Sequence, residues 1–355
     1  MKAVIYKTLD QKVLHEWTAL WEKSSEANYT NAPQWFSSVL ETFDYKEYAI
    51  VSLYENNELL GIAALVKEKK YGIPVYTVAP TDFICGIPFL IDPTDRKAML
   101  FLGKTLQQLG TIFLNNVPED FSITLKETAN ARVKASTINY YITLTKDEKG
   151  AVLVKKKKRL LRRSEEIENS LQLRAFTGVN NEALQTVTDI DSKSNKQASG
   201  YNAFSNPKTV AFYQSLAEQF KTRFTTYIYY HEDKPIAYQL GITVEKTFFC
   251  NQIAFLKEYE MYSIGRSLLI RLIEQLGIKG IKIVDFGSGE DHVKRSLTKE
   301  YQSLSTVIIA ENKKISTYLT TVGVIKNTLY TYLHTNKTMY SLFRKAKSLK
   351  DTISN

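Results

Sequence analysis

Alternating apolar and polar residues occur in two matching blocks along this chain. The first block, Tyr48–Pro80, contains three alternating runs separated by turn-forming residues, including an Asn-Asn pair that ends at Asn57. The second block, Thr226–Phe255, repeats this arrangement with charged hairpin turns at Glu232–Lys234 and Glu245–Lys246. Each block therefore predicts a meander of three antiparallel strands.

A helix that begins with proline precedes each meander, over Pro33–Phe43 in the first half and Pro207–Phe220 in the second. When Asn57 is aligned with Asp233, the strands of the two halves stay in step. We therefore expect a duplicated α/β unit, in which helices flank a twisted, mostly antiparallel mixed sheet. The expected organisation is one unit over residues 1–150, a second over residues 151–310, and a basic helical extension over residues 311–355.

The segment from Asn251 to Lys294 suggests a binding site. It predicts a strand, a glycine-bearing turn and a helix, whose apolar residues recur at helical spacing until Gly277 ends the run. Ser263 is a good helix N-cap residue, and Gly265 lies in the first turn. Free backbone N–H groups and the positive end of the helix dipole make such a turn a seat for phosphate or diphosphate. Helix capping alone would also explain these residues.

A carboxylate follows the next predicted strand, Ile281–Val284. Asp285 precedes a Gly-Ser-Gly loop that carries Glu290 and a second acidic residue. A carboxylate at a strand end beside an apolar wall can have its pKa raised towards the working pH, as a general base requires. The alternative is a carboxylate that only orders the loop. In the first half, Asp92 and Asp95 stand at the corresponding helix entrance, where they would cap the helix and repel phosphate.

Basic residues are unevenly distributed in a chain whose formal net charge is +10. The stretch Lys155–Leu171 begins with cations and continues with glutamates; we expect one helix, either lining a cleft for an anionic substrate or simply solvated. The segment from Lys326 onward is also basic, and apolar residues recur every three or four positions from Ile315 to Leu333. We expect this tail to pack against the core or to lie on a membrane surface.

The remaining composition bears on location and metal content. No apolar run is long enough to cross a bilayer, and the N-terminus lacks the apolar core of a signal peptide, so a cytoplasmic protein is expected, with the inner face of the membrane as an alternative site. Cys85 and Cys250 fall in apolar segments, as is typical of buried thiols. The four histidines show no ligand spacing, so no metal site is predicted.

Four motifs, taken in order, resemble those of tandem GNAT-like acyltransferases. The resemblance is to the CelD-like proteins of cellulose and exopolysaccharide gene clusters, with the FemAB-like aminoacyl transferases as more distant relatives, and it covers residues 10–310. The motifs are Ala-Pro-Gln-Trp ending at Trp35, a lysine-arginine cluster ending at Arg163, a Tyr-Ser-x-Gly turn ending at Gly265, and Asp285-Phe286 with the following Lys294.

This resemblance implies transfer of an acyl group from acetyl-CoA, or another acyl-CoA, to an amine or hydroxyl. The implied coenzyme A site consists of Ile253, Ala254, Phe255, Ser263, Ile264, Gly265, Arg266 and Ser267. The implied catalytic groups are Asp285 as general base, Glu290 as its substitute, Lys294, and Tyr262 or Tyr301 as proton donor to the leaving thiolate. Candidates for contact with the acceptor are Trp35, Tyr201 and Tyr238, although a tryptophan is more often part of a core.

Three functions stay open at this point. An acyl-CoA-dependent transferase would act on an envelope or exopolysaccharide precursor, either a glycan or an amino sugar. The net charge and the basic stretch Lys155–Arg163 would also suit a FemAB-like transferase that uses aminoacyl-tRNA, although the chain lacks the long coiled coil of some such enzymes. The family usually has Tyr and Trp where this chain has Val293 and Leu297, which would suit a binding protein without catalysis.

Overall fold

The computed structural model describes residues 1–80, 89–127, 131–146, 157–194, 196 and 203–335. The strands of this part are β1 Lys2–Tyr6, β2 Tyr48–Glu55, β3 Glu58–Lys70, β4 Ile73–Thr77, β5 Ile112–Pro118, β6 Arg132–Thr143, β7 Leu171–Thr177, β8 Phe224–His231, β9 Lys234–Val244, β10 Thr247–Phe255, β11 Ile283–Ser288 and β12 Tyr301–Ile309. The α-helices are α1 Gln11–Lys23, α2 Pro33–Thr42, α3 Arg96–Leu109, α4 Glu119–Glu127, α5 Lys157–Leu161, α6 Asn181–Ser192, α7 Pro207–Phe220, α8 Ile264–Ile278, α9 His292–Leu297 and α10 Lys313–Thr335.

The strands form one sheet in which the two halves of the chain are arranged symmetrically. Their order is β1-β2-β3-β4-β5-β12-β6-β11-β10-β9-β8-β7. From either edge inwards, an antiparallel array leads to one parallel pair, β4 with β5 in the first half and β10 with β11 in the second. The expected duplicated α/β unit and its mixed sheet are therefore confirmed.

The last strand of each half crosses into the other half. β6, which ends the first half, pairs with β11 of the second half, whereas β12, from the second half, pairs with β5 of the first. β6 and β12 also pair with each other, antiparallel, at the centre of the sheet. Each parallel pair is thus completed by a strand from the opposite half of the chain.

The predicted hairpins are confirmed, and their backbone explains the turn residues. Asn56 and Asn57 both have positive φ angles, of 51° and 66°, as a tight two-residue hairpin requires. Glu232 and Glu245 adopt the left-handed conformation in the turns that precede β9 and β10. The proline-started helices α2 and α7 also form as predicted, and they pack together: the hydroxyl of Ser215 lies 2.9 Å from that of Ser38.

The predicted single helix over Lys155–Leu171 is wrong for the residues that the structure describes. α5 spans only Lys157–Leu161, a 3-10 helix follows at Glu165–Ser170, and Leu171 begins β7. Contacts with α8 explain the break, since Lys157 pairs with Glu274 and Glu168 pairs with Arg271. A continuous helix would also place cations at its N-terminus and carboxylates after them, which the helix dipole disfavours.

The end of α8 also differs from expectation. α8 runs through Gly277 to Ile278, because Gly277 is buried within the helix and Gly280, with φ of 83°, provides the turn that follows. The expected packing of the tail against the core is seen in α10, where Leu319 is buried, whereas Ile325 and Leu329 are more than half exposed. None of the described helices has both the length and the apolar character needed to cross a membrane.

Candidate active site

Two parallel strands separate in the second half and open a gap in the sheet. β10 and β11 are paired only from Thr247 with Ile283 to Phe249 with Asp285. Beyond this point β10 bulges, since its register with β9 shifts between Cys250 and Gln252. Bulges bend strands and end regular pairing. In the described sheet, the side of β10 that faces β11 therefore has no ladder partner over residues 251–255.

A pocket of about 210 Å³ lies at this gap. Its apolar wall includes Ile253 and Phe255 of β10, Leu269 of α8 and Phe286 of β11. Its polar groups come from distant places in the chain and include Lys196, Gln239, Asn251, Asp291 and Lys294. A mostly apolar cavity with a few converging polar groups is the usual form of a small-molecule site. We call it the donor pocket.

Two side chains of the donor pocket hold buried polar atoms that lack protein partners. Both amide atoms of Asn251 are buried without a hydrogen bond among the described residues, and so is the Oε1 atom of Gln239. Gln239 is 1% exposed. Leaving such a group unpaired costs about 1–3 kcal/mol, so these atoms indicate a ligand or ordered water that pairs with them. Asn251 offers one donor side and one acceptor side, the complement of another amide.

The start of α8 lies at the mouth of this pocket. Ser263 occupies the N-cap position, as expected, but in the left-handed conformation and without a side-chain capping bond. Its carbonyl accepts hydrogen bonds from the amides of Arg266 and Ser267. The preceding amides, of Ile264 and Gly265, are among those for which a helix supplies no carbonyl partner, and the first turn has no acidic residue.

Gly265 makes a close approach possible at this turn. A Cβ atom there would lie 3.1 Å from two ring atoms of Phe255, which itself lines the donor pocket. In the first half the corresponding helix entrance is closed by carboxylates, as expected: the side chain of Asp95 caps α3 by accepting from the amide of Ala98 at 2.9 Å. Asp92 accepts from the amide of Thr94.

Residues 154–295 match the sequence profile of the family described as Acetyltransferase (GNAT) domain. This segment of the second half is therefore similar to a GNAT acetyltransferase domain. No curated protein sequence matches the chain. The family of this domain agrees with the sequence resemblance at the level of GNAT, whereas the narrower CelD-like group stays a prediction.

Solved structures of similar fold cover most of this chain. FemX is similar with a TM-score of 0.64, over 90% of this chain and 99% of its own, at 8% identity. L-PGS from Bacillus licheniformis gives 0.56 over 88% and 96%, at 11% identity. The C-terminal domain (DUF2156) of a putative lysylphosphatidylglycerol synthetase from Agrobacterium fabrum gives 0.56 over 87% and 96%, at 9% identity. At such identities the likeness concerns the fold alone.

Asp285 lies within the segment that matches the GNAT profile, at the last paired position before the gap. Its carboxylate accepts from the Gly287 amide at 2.8 Å and from the Asn139 side chain, on β6, at 2.7 Å. Burial raises the pKa of Asp285 to about 6, although both hydrogen bonds and the charge of Lys294 act to lower it. Asp285 lies within the strand β11, whereas the sequence placed it directly after the predicted strand. Its pKa suits a general base near neutral pH.

Asp285 faces away from the donor pocket. Successive side chains of a strand point to opposite faces, and Phe286 lines the donor pocket while Asp285 lines a wide groove of about 870 Å³. The groove also contains Glu119, Asp120, Tyr301 and Asn139. We call it the acceptor groove. Among its described lining residues there are three carboxylates and no lysine or arginine.

Lys294, Asp291 and Glu290 occupy different positions around the site. The Lys294 amine donates to the carbonyls of Gly287 and Ser288 at 2.9 and 3.0 Å, so it ties the end of β11 to α9. Asp291 lines the donor pocket and caps α9 through the Val293 amide. Glu290 is exposed and is not among the described residues that line either cavity.

Lys196 is a pocket residue that the sequence did not suggest. Burial lowers the pKa of its amine, the charge of Asp191 raises it, and the nearby Lys294 lowers it again. Asp191 is itself 1% exposed and accepts a hydrogen bond of 2.8 Å from Tyr238. No local pattern distinguishes Lys196 from other lysines, because its position depends on α6 and β9.

The aromatic residues expected to contact the acceptor do not lie together. Trp35 is 1% exposed, donates to the Ala79 carbonyl at 2.9 Å and packs edge-on against Phe212, so the expectation of a sugar-stacking ring is not met and Trp35 belongs to the core. Tyr238 is likewise fully buried. Tyr201 lies outside the described residues. Tyr262 contacts the ring of Tyr259 in the turn before α8, and it is not among the described lining residues of the donor pocket.

The fold brings together only some of the residues of the implied coenzyme A site. Ile253, Ala254, Phe255 and Gly265 line the donor pocket. Ile264 and Ser267 are buried in α8, and the Ser267 hydroxyl lies 2.9 Å from that of Tyr229. Among the described residues, no three His, Cys, Asp or Glu side chains lie close enough together to hold a metal.

Proposed function

We propose that this protein transfers an acyl group from an acyl-CoA thioester to an amine or hydroxyl of an envelope or exopolysaccharide precursor. One observation carries the proposal: the unpaired edge of β10, with the unpartnered amide of Asn251, leads to the open N-terminus of α8. The pantetheine arm of coenzyme A contains amides that could pair with such an edge, and its diphosphate is an anion that helix N-termini bind.

The residues of the donor pocket fit such a ligand. Its Asn251 amide can both donate to and accept from one pantetheine amide, and Gln239 can accept an N–H group. The amides of Ile264 and Gly265 would hold the diphosphate, with Ser263, Arg266 and Ser267 in the same turn. Lys196 and Lys294 add positive charge to the pocket wall, which favours an anionic donor.

The acceptor would enter from the acceptor groove on the other face of the sheet. The carboxylates of Glu119, Asp120 and Asp285 favour a cationic amine there, as in an amino sugar, and Tyr301 offers an exposed ring at the groove. Donor and acceptor would then meet at the gap between β10 and β11. This arrangement assigns the two cavities to two substrates.

The chemical step needs orientation and proton transfer, because a thioester is already activated. The acceptor nitrogen or oxygen attacks the thioester carbonyl carbon, and Asp285 takes the proton that the nucleophile loses. The tetrahedral intermediate then expels the thiolate as the carbon–sulfur bond breaks. The thiolate takes up a proton, for which Tyr301 of the groove and Tyr262 of the turn are the candidate donors. Lys294 shapes the loop and the charge around Asp285.

A donor of a different class is the second candidate. The similarity to FemX extends over 90% of this chain, and the net charge of +10 would favour RNA, so an aminoacyl-tRNA could supply the acyl group in place of coenzyme A. The chemistry at the gap would be the same, with an ester oxygen as the leaving group. A GNAT-fold binding protein without turnover is the third candidate.

Donor binding tests these alternatives directly. Thermal-shift and calorimetric titrations with coenzyme A, acetyl-CoA and aminoacyl-tRNA should show stabilisation by the coenzyme A compounds, since a ligand that binds only the folded state raises its stability. Gly265→Glu should abolish this binding, because it places a carboxylate at the helix start and against Phe255. Gln11→Glu, which adds the same charge at the exposed start of α1, is the matched control.

Turnover distinguishes an enzyme from a binding protein. Mass spectrometry with a panel of acyl-CoA donors and amino-sugar acceptors should show a mass increase of the acceptor equal to the acyl group. Binding of aminoacyl-tRNA alone, with a steep salt dependence, would replace the coenzyme A assignment. No stabilisation by any donor would reject the donor pocket as assigned.

A further inference from the structure

A third cavity, which we call the basic pocket, lies between α10 and the middle of the sheet. Its volume is about 290 Å³. Its floor runs across three neighbouring strands, where Phe113 of β5 is paired with Ile308 of β12, and Ile308 with Arg132 of β6. Lys70 and Tyr71, at the end of β3, close one side. This position is separate from both the donor pocket and the acceptor groove, since no described lining residue is shared.

The roof of the basic pocket is fixed rather than loosely placed. Leu319 of α10 is 1% exposed and belongs to a small core cluster with Val75, Phe113 and Ile308. Tyr318 of the same helix donates a hydrogen bond of 3.2 Å to the carbonyl of Tyr71. These contacts hold the polar and basic residues of α10 over the sheet, so the cavity is part of the folded structure.

Four cationic side chains line this pocket: Lys70, Arg132, Lys134 and Lys326. Its described lining residues include no carboxylate, and none of the ion pairs between described residues involves these four. Lys70 and Lys326 approach the same ring, their Nζ atoms lying 5.8 and 5.7 Å from the centroid of Tyr71. Like charges gathered in this way repel each other, and an anion bound among them would relieve the repulsion.

The other groups that line the basic pocket indicate which class of anion it can bind. The Thr306 hydroxyl donates to Asn115 at 3.2 Å, and both side chains line the pocket beside Lys134, which is paired with Thr306 in the sheet. Arg132 brings a planar guanidinium, which binds phosphate oxygens through two parallel hydrogen bonds. Four cations offer more charge than one phosphate carries, and the cavity is larger than one phosphate needs.

We propose that the basic pocket binds a diphosphate group, independently of the donor site at α8. The ligand that carries this group comes from one of two sources. It is either a soluble diphosphate compound or a membrane lipid whose headgroup is a diphosphate. The second source is relevant because α10 also exposes an apolar row, formed by Ile325, Leu329 and Tyr332.

Calorimetric titration with inorganic pyrophosphate at fixed ionic strength tests the site. The full-length protein should bind it, and the double variant Arg132→Gln/Lys134→Gln should bind at least tenfold more weakly. Lys46→Gln, at an exposed lysine outside the pocket, should leave binding unchanged. Gly265→Glu removes the proposed donor seat and should leave the binding event of the basic pocket intact, so the two assignments can fail separately. Lys70→Gln and Lys326→Gln replace the double variant if it does not fold.

Binding to vesicles distinguishes the two sources of the diphosphate group. Sedimentation with phosphatidylcholine vesicles that contain an isoprenoid lipid diphosphate, compared with pure phosphatidylcholine vesicles, should retain the protein if the lipid headgroup is the ligand, and the double variant should be retained less. Pyrophosphate binding without vesicle retention assigns the site to a soluble diphosphate. Pyrophosphate binding that is unchanged in the double variant, or lost only in Gly265→Glu, overturns the proposal, as does the absence of any binding.

Discussion

At the scale of single residues, the sequence predicted those site residues that lie close together in the chain. Asp285 and Lys294 belong to one short segment, and Gly265 follows from the composition of a helix start. Asn139 could not be found in this way, because it is 146 residues from the Asp285 carboxylate that it contacts. Lys196 also depends on the tertiary fold. Trp35 has a motif-like context, but its indole serves the core.

The pKa of Asp285 leads to a pH-dependence for catalysis. A general base acts only when ionised, so kcat/KM should fall about tenfold per pH unit below the pKa of about 6 and level off above it. Asp285→Asn should lower kcat by about 10²–10⁴-fold and remove this inflection. Asp233→Asn, at an exposed carboxylate in the hairpin before β9, serves as the control. An unchanged profile in Asp285→Asn would assign the base elsewhere.

The raised pKa of Asp285 also affects how the stability of the folded protein depends on pH. Because the pKa of Asp285 is higher in the folded protein than its usual value, the folded state binds the proton more tightly than the unfolded state does. The contribution of Asp285 to stability is therefore greatest at acidic pH. It decreases as the pH rises towards about 6. Asp285→Asn should reduce this slope, as urea unfolding at a series of pH values would show.

Replacement of Asn251 should change stability and donor binding in opposite directions. Its amide atoms are buried without protein partners, so Asn251→Leu should raise the free energy of unfolding by about 1 kcal/mol while weakening donor binding at least tenfold. Urea unfolding and calorimetry with acetyl-CoA would measure the two effects. Asn206→Leu, which removes a side chain that caps α7, should destabilise the fold instead and serves as the contrast. A destabilised Asn251→Leu variant with unchanged donor binding would contradict this assignment.

At the scale of elements, the sequence predicted structures that local rules determine. Hairpins with Asn-Asn or charged turns and helices that begin with proline formed where expected, because their signals lie within a few residues. The stretch Lys155–Leu171 failed, because its structure follows from contacts with α8 rather than from its own periodicity. The gap between β10 and β11 likewise depends on a bulge in β10, and no turn-forming residue in the sequence predicts that bulge.

Gly241 is essential to the strand geometry beside this gap. It is paired with Cys250, the last regular position before the bulge of β10. A Cβ atom there would lie 2.1 Å from a ring atom of Phe248 and 2.7 Å from the carbonyl of Phe249. Gly241→Ala should therefore destabilise the protein by about 2 kcal/mol or more and weaken donor binding, because the strands must shift.

A matched substitution in the first half controls for the alanine itself. Gly61→Ala on β3 would place its Cβ 3.0 Å from side-chain atoms of Ile91, which can move more easily than a backbone carbonyl. Its cost should be smaller, and donor binding should be kept. Thermal unfolding and acetyl-CoA calorimetry of the two variants provide the comparison. Equal losses of stability and affinity would show that Gly241 has no special relation to the gap.

At the scale of the whole molecule, the local patterns predicted a duplication but not the exchange of strands at its centre. Repeated meanders indicate two units, and nothing in their periodicity shows that β6 and β12 cross over, because pairing partners are chosen by the assembled sheet. The exchange has a functional consequence in the proposed mechanism. β6, from the first half, supplies Asn139, which donates a hydrogen bond to the carboxylate of Asp285 in the second half.

The strand exchange predicts that the halves of this chain depend on each other for folding, whatever the sequence boundary at residue 150 suggests. Residues 1–150 alone would leave β5 without β12, and residues 151–355 alone would leave β11 without β6. Each half would then expose the unpaired edge of an apolar central strand, which favours aggregation. Circular dichroism and size-exclusion chromatography should show that neither half is folded and monomeric, whereas coexpressed halves should form a one-to-one complex that binds the donor. If residues 151–355 alone fold and bind acetyl-CoA with unchanged affinity, the contribution of β6 to the site is dispensable.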